Sequence, residues 1–345
     1  DILAKDTKFF DFMGVQINEE SYCKSIKKLK PCNIIKIKDG KIISDETYEI
    51  NIPSKSKNKI ENFSNQNIEE ILELLLNSIK KRLISDQKIS ILQSGGYDST
   101  LLLAIIKNEI KKDFQCYHLE QKNFSEREQI ILNFKKLNIP LNYIKFVQFD
   151  ENYINIDNII NYHYQLTDNF SISLLDCICK EIKKDKIRVA LSGTGGDELF
   201  YGYSKYFNAF RIQKKFKIFN NKFVKKISNY LPDENLIKIL NKNNLDIISY
   251  LKNSDIYKFQ IKHNKKILFP EIFQLTKKNL FENMREFDLK FTLPESLNFN
   301  QDIASMKNSI EIRSPYLNKD LFNYIDNINP RILFEKGPKT LSKII

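Results

Sequence analysis

Apolar positions along residues 67–83 fall at Ile68, Ile71, Leu72, Leu75, Ile79 and Leu83, the alternating three- and four-residue step that lines one helical face. Asn67 stands before them as an N-cap residue, and Glu69 and Glu70 suit the positive end of the helix dipole. Residues 88–93, 114–119, 144–149 and 187–191 are short runs rich in β-branched and aromatic side chains and bounded by polar turns, which predicts strands. Helical patterns over 100–107, 125–137 and 173–183 lie between them. The alternation predicts an α/β fold, a parallel sheet with flanking helices joined by right-handed crossovers. From residue 199 onward the chain reads as a mostly helical C-terminal part, punctuated by Pro232, Pro270, Pro294, Pro315, Pro330 and Pro338.

Residues 33–43 carry clustered isoleucines on both sides of Asp39-Gly40 and predict a hairpin. The polar, breaker-rich residues 53–59 predict a linker. A short β-rich N-terminal piece over 1–60 and an α/β domain over 61–345 follow from these signals.

Composition narrows the class. A chain of 345 residues that is 42% hydrophobic and 28% charged can bury a globular core, and no apolar run reaches the length of a bilayer span. Its five cysteines include no CxxC pair and only three histidines could join them, so neither a disulfide framework nor a zinc site is expected, and the cytoplasm is the expected compartment. The net charge of +12 is spread through the chain without aromatic platforms, which argues against a nucleic-acid partner.

Two glycine turns carry the candidate chemistry. Ser94-Gly95-Gly96-Tyr97-Asp98-Ser99 lies between a predicted strand and a predicted helix, where backbone N–H groups and the helix dipole favour a phosphate. Gly95 and Gly96 admit close backbone approach, Ser94 and Ser99 add hydroxyl donors, and Asp98 offers an oxygen to the Mg²⁺ that accompanies ATP. The second turn, Ser192-Gly193-Thr194-Gly195-Gly196-Asp197-Glu198, again follows a predicted strand.

The first string resembles the pyrophosphate loop of the ATP pyrophosphatase superfamily, also called the PP-loop or adenine nucleotide α-hydrolase-like fold. Leu191 to Tyr203 resembles the LSGxGxDELFxGY segment of asparagine synthetases, Met306 to Leu317 resembles their MxxSxExRxPFLD segment, and Gly337-Pro338-Lys339 resembles their GK site. Residues 25–31 and the following hairpin resemble the end of that family's glutaminase domain, without a visible glutaminase nucleophile. The resemblance implies a ligase that adenylates a carboxylate, releases pyrophosphate and forms an amide with ammonia or an amine, the amine coming from a glutaminase segment or a separate subunit. It implies ATP and Mg²⁺ as cofactors, with Asp98 and Asp197 holding the metal and Lys339 stabilising charge on the α-phosphate. It further implies Ser192, Gly193 and the backbones of Leu92 and of residues 114–119 around the nucleotide.

Glu198, Glu311 and Arg313 are weaker candidates for the substrate pocket; an ion pair is the plainer reading of Glu311 and Arg313, and a dipole-complementing carboxylate that of Glu198. Thr194 departs from the family, whose asparagine synthetases have Glu there, and an unaided hydroxyl is no general base. Asn318 stands where the family usually has Asp. Thr194 therefore leaves the acceptor open between aspartate and a sugar acid, peptide or β-amino acid. A tRNA-modifying PP-loop enzyme is the reading that would use the first loop alone.

Overall fold

The computed structural model describes residues 19, 25–47, 59–122, 125–150, 154, 171–218, 279–334 and 339. Strands β1 (Asn33–Lys38) and β2 (Lys41–Thr47) form the expected antiparallel hairpin, and Asp39 and Gly40 both take positive φ, as a two-residue turn of this kind requires. Helix α1 (Asn65–Arg82) buries Ile71, Leu75, Ser78 and Ile79 on one stripe. Its cap is Ser64 rather than Asn67. Asn67 lies one turn inside, where its side-chain carbonyl accepts from the Ser64 backbone N–H at 2.8 Å and occupies a donor that the helix leaves open.

The central sheet contains β3 (Ile89–Leu92), β4 (Phe114–Gln121), β5 (Ile144–Phe149), β6 (Val189–Leu191) and β7 (Glu311–Arg313), all parallel, in the order β5-β4-β3-β6-β7. Helices α2 (Tyr97–Ile105), α3 (Arg127–Lys136) and α4 (Ser171–Lys184) follow β3, β4 and β5 in the chain. β3 is buried on both faces, as the centre of a covered parallel sheet must be. Ile71, Leu75, Ile79, Ile89, Ile91, Leu102 and Phe134 pack in the larger core, while Tyr117, Ile178, Cys179, Ile182 and Ile310 pack in a second, smaller one.

The strand order reverses beside β3: β4 and β5 extend one way, β6 and β7 the other. Open α/β sheets form their ligand crevice at the carboxyl ends of strands at such a point. Here the turns after β3 and β6 are the two glycine turns.

The described chain beyond residue 199 is mostly helical, as expected, with the addition of β7, whose three residues pair with β6. Helices α5 (Gly196–Leu199), α6 (Ser204–Ile218), α7 (Leu280–Phe287), α8 (Phe299–Met306) and α9 (Lys319–Asp326) account for most of the rest of the described part. Pro294 lies within a π-helical stretch, Asp288–Asn298, instead of ending a helix, because the wider turn accommodates a residue without an N–H. Pro232, Pro270 and Pro338 lie outside the described residues. Asn318 caps α9, its side-chain oxygen accepting from the N–H groups of Asp320 at 2.9 Å and Leu321 at 3.0 Å, a task Asn and Asp perform alike.

Among the described residues no helix is long and apolar enough to cross a membrane, and Cys32, Cys116, Cys177 and Cys179 are free thiols. Burial pushes the Cys179 thiol up to about 12, the signature of an inert packed cysteine.

Candidate functional site

The turn after β3 is held open by its own side chains. Ser94 N–H donates to Ser99 Oγ at 3.2 Å, Ser99 Oγ donates to the Gly96 carbonyl at 3.2 Å, and Thr100 Oγ1 donates to the same carbonyl at 2.8 Å. Gly95 has φ +74°, a left-handed conformation that favours glycine, and its carbonyl accepts from Asn133 Nδ2 of α3 at 3.3 Å. Asp98 lies in the first turn of α2, and its backbone carbonyl accepts from the buried Tyr316 hydroxyl at 2.8 Å.

The turn after β6 is tied to β7, with Ser192 N–H donating to the Arg313 carbonyl at 3.0 Å. Its Gly196 presses against Asp98: a Cβ there would stand 2.8 Å from Asp98 Cγ. Asp197 follows at the start of α5. Lys339 lies between the two carboxylates, its Nζ 3.1 Å from Asp98 Oδ2 and 2.7 Å from Asp197 Oδ1. The second approach is a charge contact rather than an aligned hydrogen bond, since Asp197 Oδ1 is buried without a hydrogen-bond partner among the described residues. Burial, and then the charge of Asp98, raise the Asp197 carboxyl above its ordinary range against the pull of Lys339. Burial works against the Lys339 charge, but the two carboxylates outweigh it and its pKa is raised.

These groups share one cavity of about 380 Å³, within the range of small-ligand sites. Leu92, Ser94, Gly96, Asp98, Ser99, Ser192, Gly193, Thr194, Asp197 and Lys339 all line it. Leu119, Leu174, Leu175 and Ile178 give the wall an apolar part suited to a flat base, while Gln93, His118, Gln121 and Glu126 add polar groups. Sequence reading put the backbone of residues 114–119, and so of His118, around the nucleotide but assigned no role to the side chains of Gln93, His118, Gln121 and Glu126; a histidine inside the apolar run of a predicted strand is the signal that could have marked His118.

Thr194 is bonded on both sides. Ser192 Oγ lies 2.7 Å from Thr194 Oγ1, which donates to Gln301 Oε1 at 2.8 Å, so the serine hydroxyl is the donor in the first bond. Gln301 lies 107 positions away on α8, which puts this pairing beyond any local pattern.

The weaker candidates lie elsewhere. Glu198 is 1% exposed; its carboxylate accepts from Tyr203 Oη at 2.8 Å, and burial raises its pKa. Glu311 and Arg313 pair at 2.9 and 3.0 Å, and the hydrogen bonds from Arg313 hold the Glu311 carboxyl below its ordinary range. The Arg313 guanidinium also donates to the carbonyls of Arg82 at 2.7 Å and Ile84 at 2.9 Å, and both residues face a separate groove beyond β7. Gly337 lies outside the described residues.

The residues present fit a divalent cation. Asp98 and Asp197 are hard oxygen donors brought to one cavity by two turns, the donor chemistry a divalent cation takes up, with Lys339 Nζ as the positive charge now facing them.

The family model for asparagine synthase matches residues 70–341. Asparagine synthetase [glutamine-hydrolyzing] 1 of Bacillus subtilis (strain 168) is 23% identical over 332 residues, covering 90% of this chain and 51% of that protein. The chain thus spans about half the length of this curated relative. A solved structure of the U34-tRNA thiolase NcsA from Methanococcus maripaludis with its [4Fe-4S] cluster is 12% identical, with a TM-score of 0.31 over 72% of this chain and 79% of that one, a similarity too loose to bear on function. With a family model covering well over half its length and carrying both glycine turns, the chain belongs to the asparagine synthase family.

Proposed function

We propose that this chain is an ATP-dependent amide-forming ligase that adenylates a carboxylate. The observation that carries the reading is the meeting of Asp98, Asp197 and Lys339 between two glycine turns, in one cavity with an apolar wall. In the first step a carboxylate oxygen attacks the α-phosphorus of ATP and pyrophosphate leaves. In the second an amine attacks the acyl carbon and AMP leaves with the bond electrons.

Each group has a part in this chemistry. The Ser94–Ser99 turn offers backbone N–H groups, hydroxyls and the N-terminus of α2 to the departing pyrophosphate. Asp98 and Asp197 would hold Mg²⁺, which supplies charge neutralisation for the phosphate chain. Lys339 brings a positive charge to the same cavity, and charge stabilisation is the main task of phosphoryl chemistry. Ser192 and Gly193 line the nucleotide side, and Leu92 and Leu119 frame the base.

Thr194 carries the second reading, a tailoring ligase whose acid is not aspartate. Its hydroxyl accepts from Ser192 and donates its proton to Gln301, so it offers a neutral polar group and no general base. The incoming amine is then neutral on arrival, and the proton it sheds on forming the amide leaves with the AMP phosphate or passes to another group.

The test is release of AMP and pyrophosphate from ATP and Mg²⁺ with aspartate, uronic acids and short peptides, each with and without ammonium, trapping the acyl-adenylate with hydroxylamine. One acid should support hydroxamate formation with matching AMP. Formation of ADP and phosphate instead would overturn the adenylation reading, and asparagine formed at full rate from aspartate would overturn the second reading.

A further inference from the structure

We infer that His118 binds the nucleotide, its Nε2 accepting a hydrogen bond from a donor of the nucleoside part, a ribose hydroxyl or the base amine. This rests on the ATP reading above and adds a residue to it.

His118 lies on β4 and is 5% exposed. Its Nδ1 is 2.8 Å from the Gln93 carbonyl, which can only accept, so the ring hydrogen belongs on Nδ1. With a single ring hydrogen placed there, Nε2 is an acceptor. The orientation is fixed by neighbours: the imidazole meets Phe146 edge-on, with centroids 5.9 Å apart and an interplanar angle of 79°. Phe146 is covered on its face by the Arg127 guanidinium at 4.0 Å, and Arg127 donates to both oxygens of the buried Glu120, at 3.0 and 2.9 Å.

Turning the ring would break the Gln93 bond, so Nε2 is held where it is. Nε2 itself is buried and has no hydrogen-bond partner among the described residues. Buried acceptors are ordinarily paired, and one left unpaired on a residue that lines the cavity calls for a ligand donor. His118 lines the cavity that also holds Ser94, Asp98 and Lys339. Phosphate oxygens at neutral pH are acceptors and cannot serve this atom; ribose hydroxyls and an exocyclic amine can.

The experiment is direct binding, by titration calorimetry without acceptor acid, of ATP, 2′-deoxy-ATP, 3′-deoxy-ATP and purine riboside triphosphate to the whole chain and to two variants. His118→Asn keeps a donor for the Gln93 carbonyl and removes the Nε2 acceptor; His118→Phe keeps the packing on Phe146 and removes both nitrogens. Both variants should bind ATP about tenfold more weakly, as loss of one buried hydrogen bond implies, with inorganic pyrophosphate binding unchanged. The analogue lacking the engaged donor should bind the wild-type chain about tenfold more weakly and lose little more in the variants.

Unchanged ATP affinity in the two folded variants overturns the inference while leaving the ATP reading intact. A wild-type chain that binds no ATP overturns the ATP reading itself. Should both variants fail to fold, equal wild-type affinity for ATP and all three analogues overturns the inference.

Discussion

Lys339 holds together two carboxylates that repel each other, and the balance among the three can be measured one residue at a time. A carboxyl whose pKa is raised in the folded state, as burial and Asp98 do to Asp197, binds its proton more tightly there than in the unfolded chain. Ionised Asp197 therefore costs stability at neutral pH, and the cost fades as the pH falls through the raised value. Asp197→Asn should leave the neutral-pH Tm unchanged or higher, with the gain over wild type shrinking in acid, while AMP formation falls by about 100-fold or more. A variant less stable than wild type at neutral pH would contradict this balance.

Lys339→Met should do the opposite to stability. It leaves both carboxylates without this cation, at a cost of roughly 1–3 kcal/mol, below that of a fully buried pair because Lys339 keeps 28% of its side chain exposed. Denaturant unfolding reads the loss, and full activity in the variant would remove Lys339 from the chemistry.

What sequence reading could not supply at this scale were partners distant in the chain: Gln301 beneath Thr194, Tyr316 beneath Asp98, and Gln93 beside His118. Type and spacing announce a phosphate turn, but a side chain's hydrogen-bond partner is decided by packing.

Among the elements, the long periodic ones were the legible ones. The apolar stripe of α1 extends over four turns and needs no tertiary information, although its first residue depended on which of Ser64 and Asn67 takes the cap. β7 was illegible because three residues, Glu311-Ile312-Arg313, are too few to establish a period, and the strand exists through its pairing with β6. That pairing matters to the site, since the Arg313 carbonyl anchors the Ser192 turn.

Leu75 is fully buried on α1, so Leu75→Ala should cost about 2–5 kcal/mol by denaturant unfolding, and a cost under 1 kcal/mol would argue against α1 as a core element. Tyr316→Phe keeps the ring against Phe200 and loses the hydroxyl bond to the Asp98 carbonyl. It should cost about 0.5–1.5 kcal/mol and weaken ATP binding through a loosened Asp98 turn; unaltered stability and binding would show the bond to be idle.

At the level of the whole molecule, the parallel sheet and its reversal beside β3 put the two glycine turns next to each other, which the sequence implied only through the resemblance that gives Asp98 and Asp197 one metal. The reversal itself was not readable, because nothing in β6 says on which side of β3 it pairs. The net charge of +12 gives the surface a general attraction for polyanions. If the charge is unspecific, a tRNA gel shift should vanish on going from low to physiological salt; a complex that survives would favour a tRNA substrate.

The most direct test of adenylation follows an atom. With the acid found active, its carboxylate labelled with heavy oxygen, the account predicts one labelled oxygen in the AMP formed and none in pyrophosphate. Label in inorganic phosphate, with ADP as the other product, or AMP without label, would contradict attack by the carboxylate on the α-phosphorus.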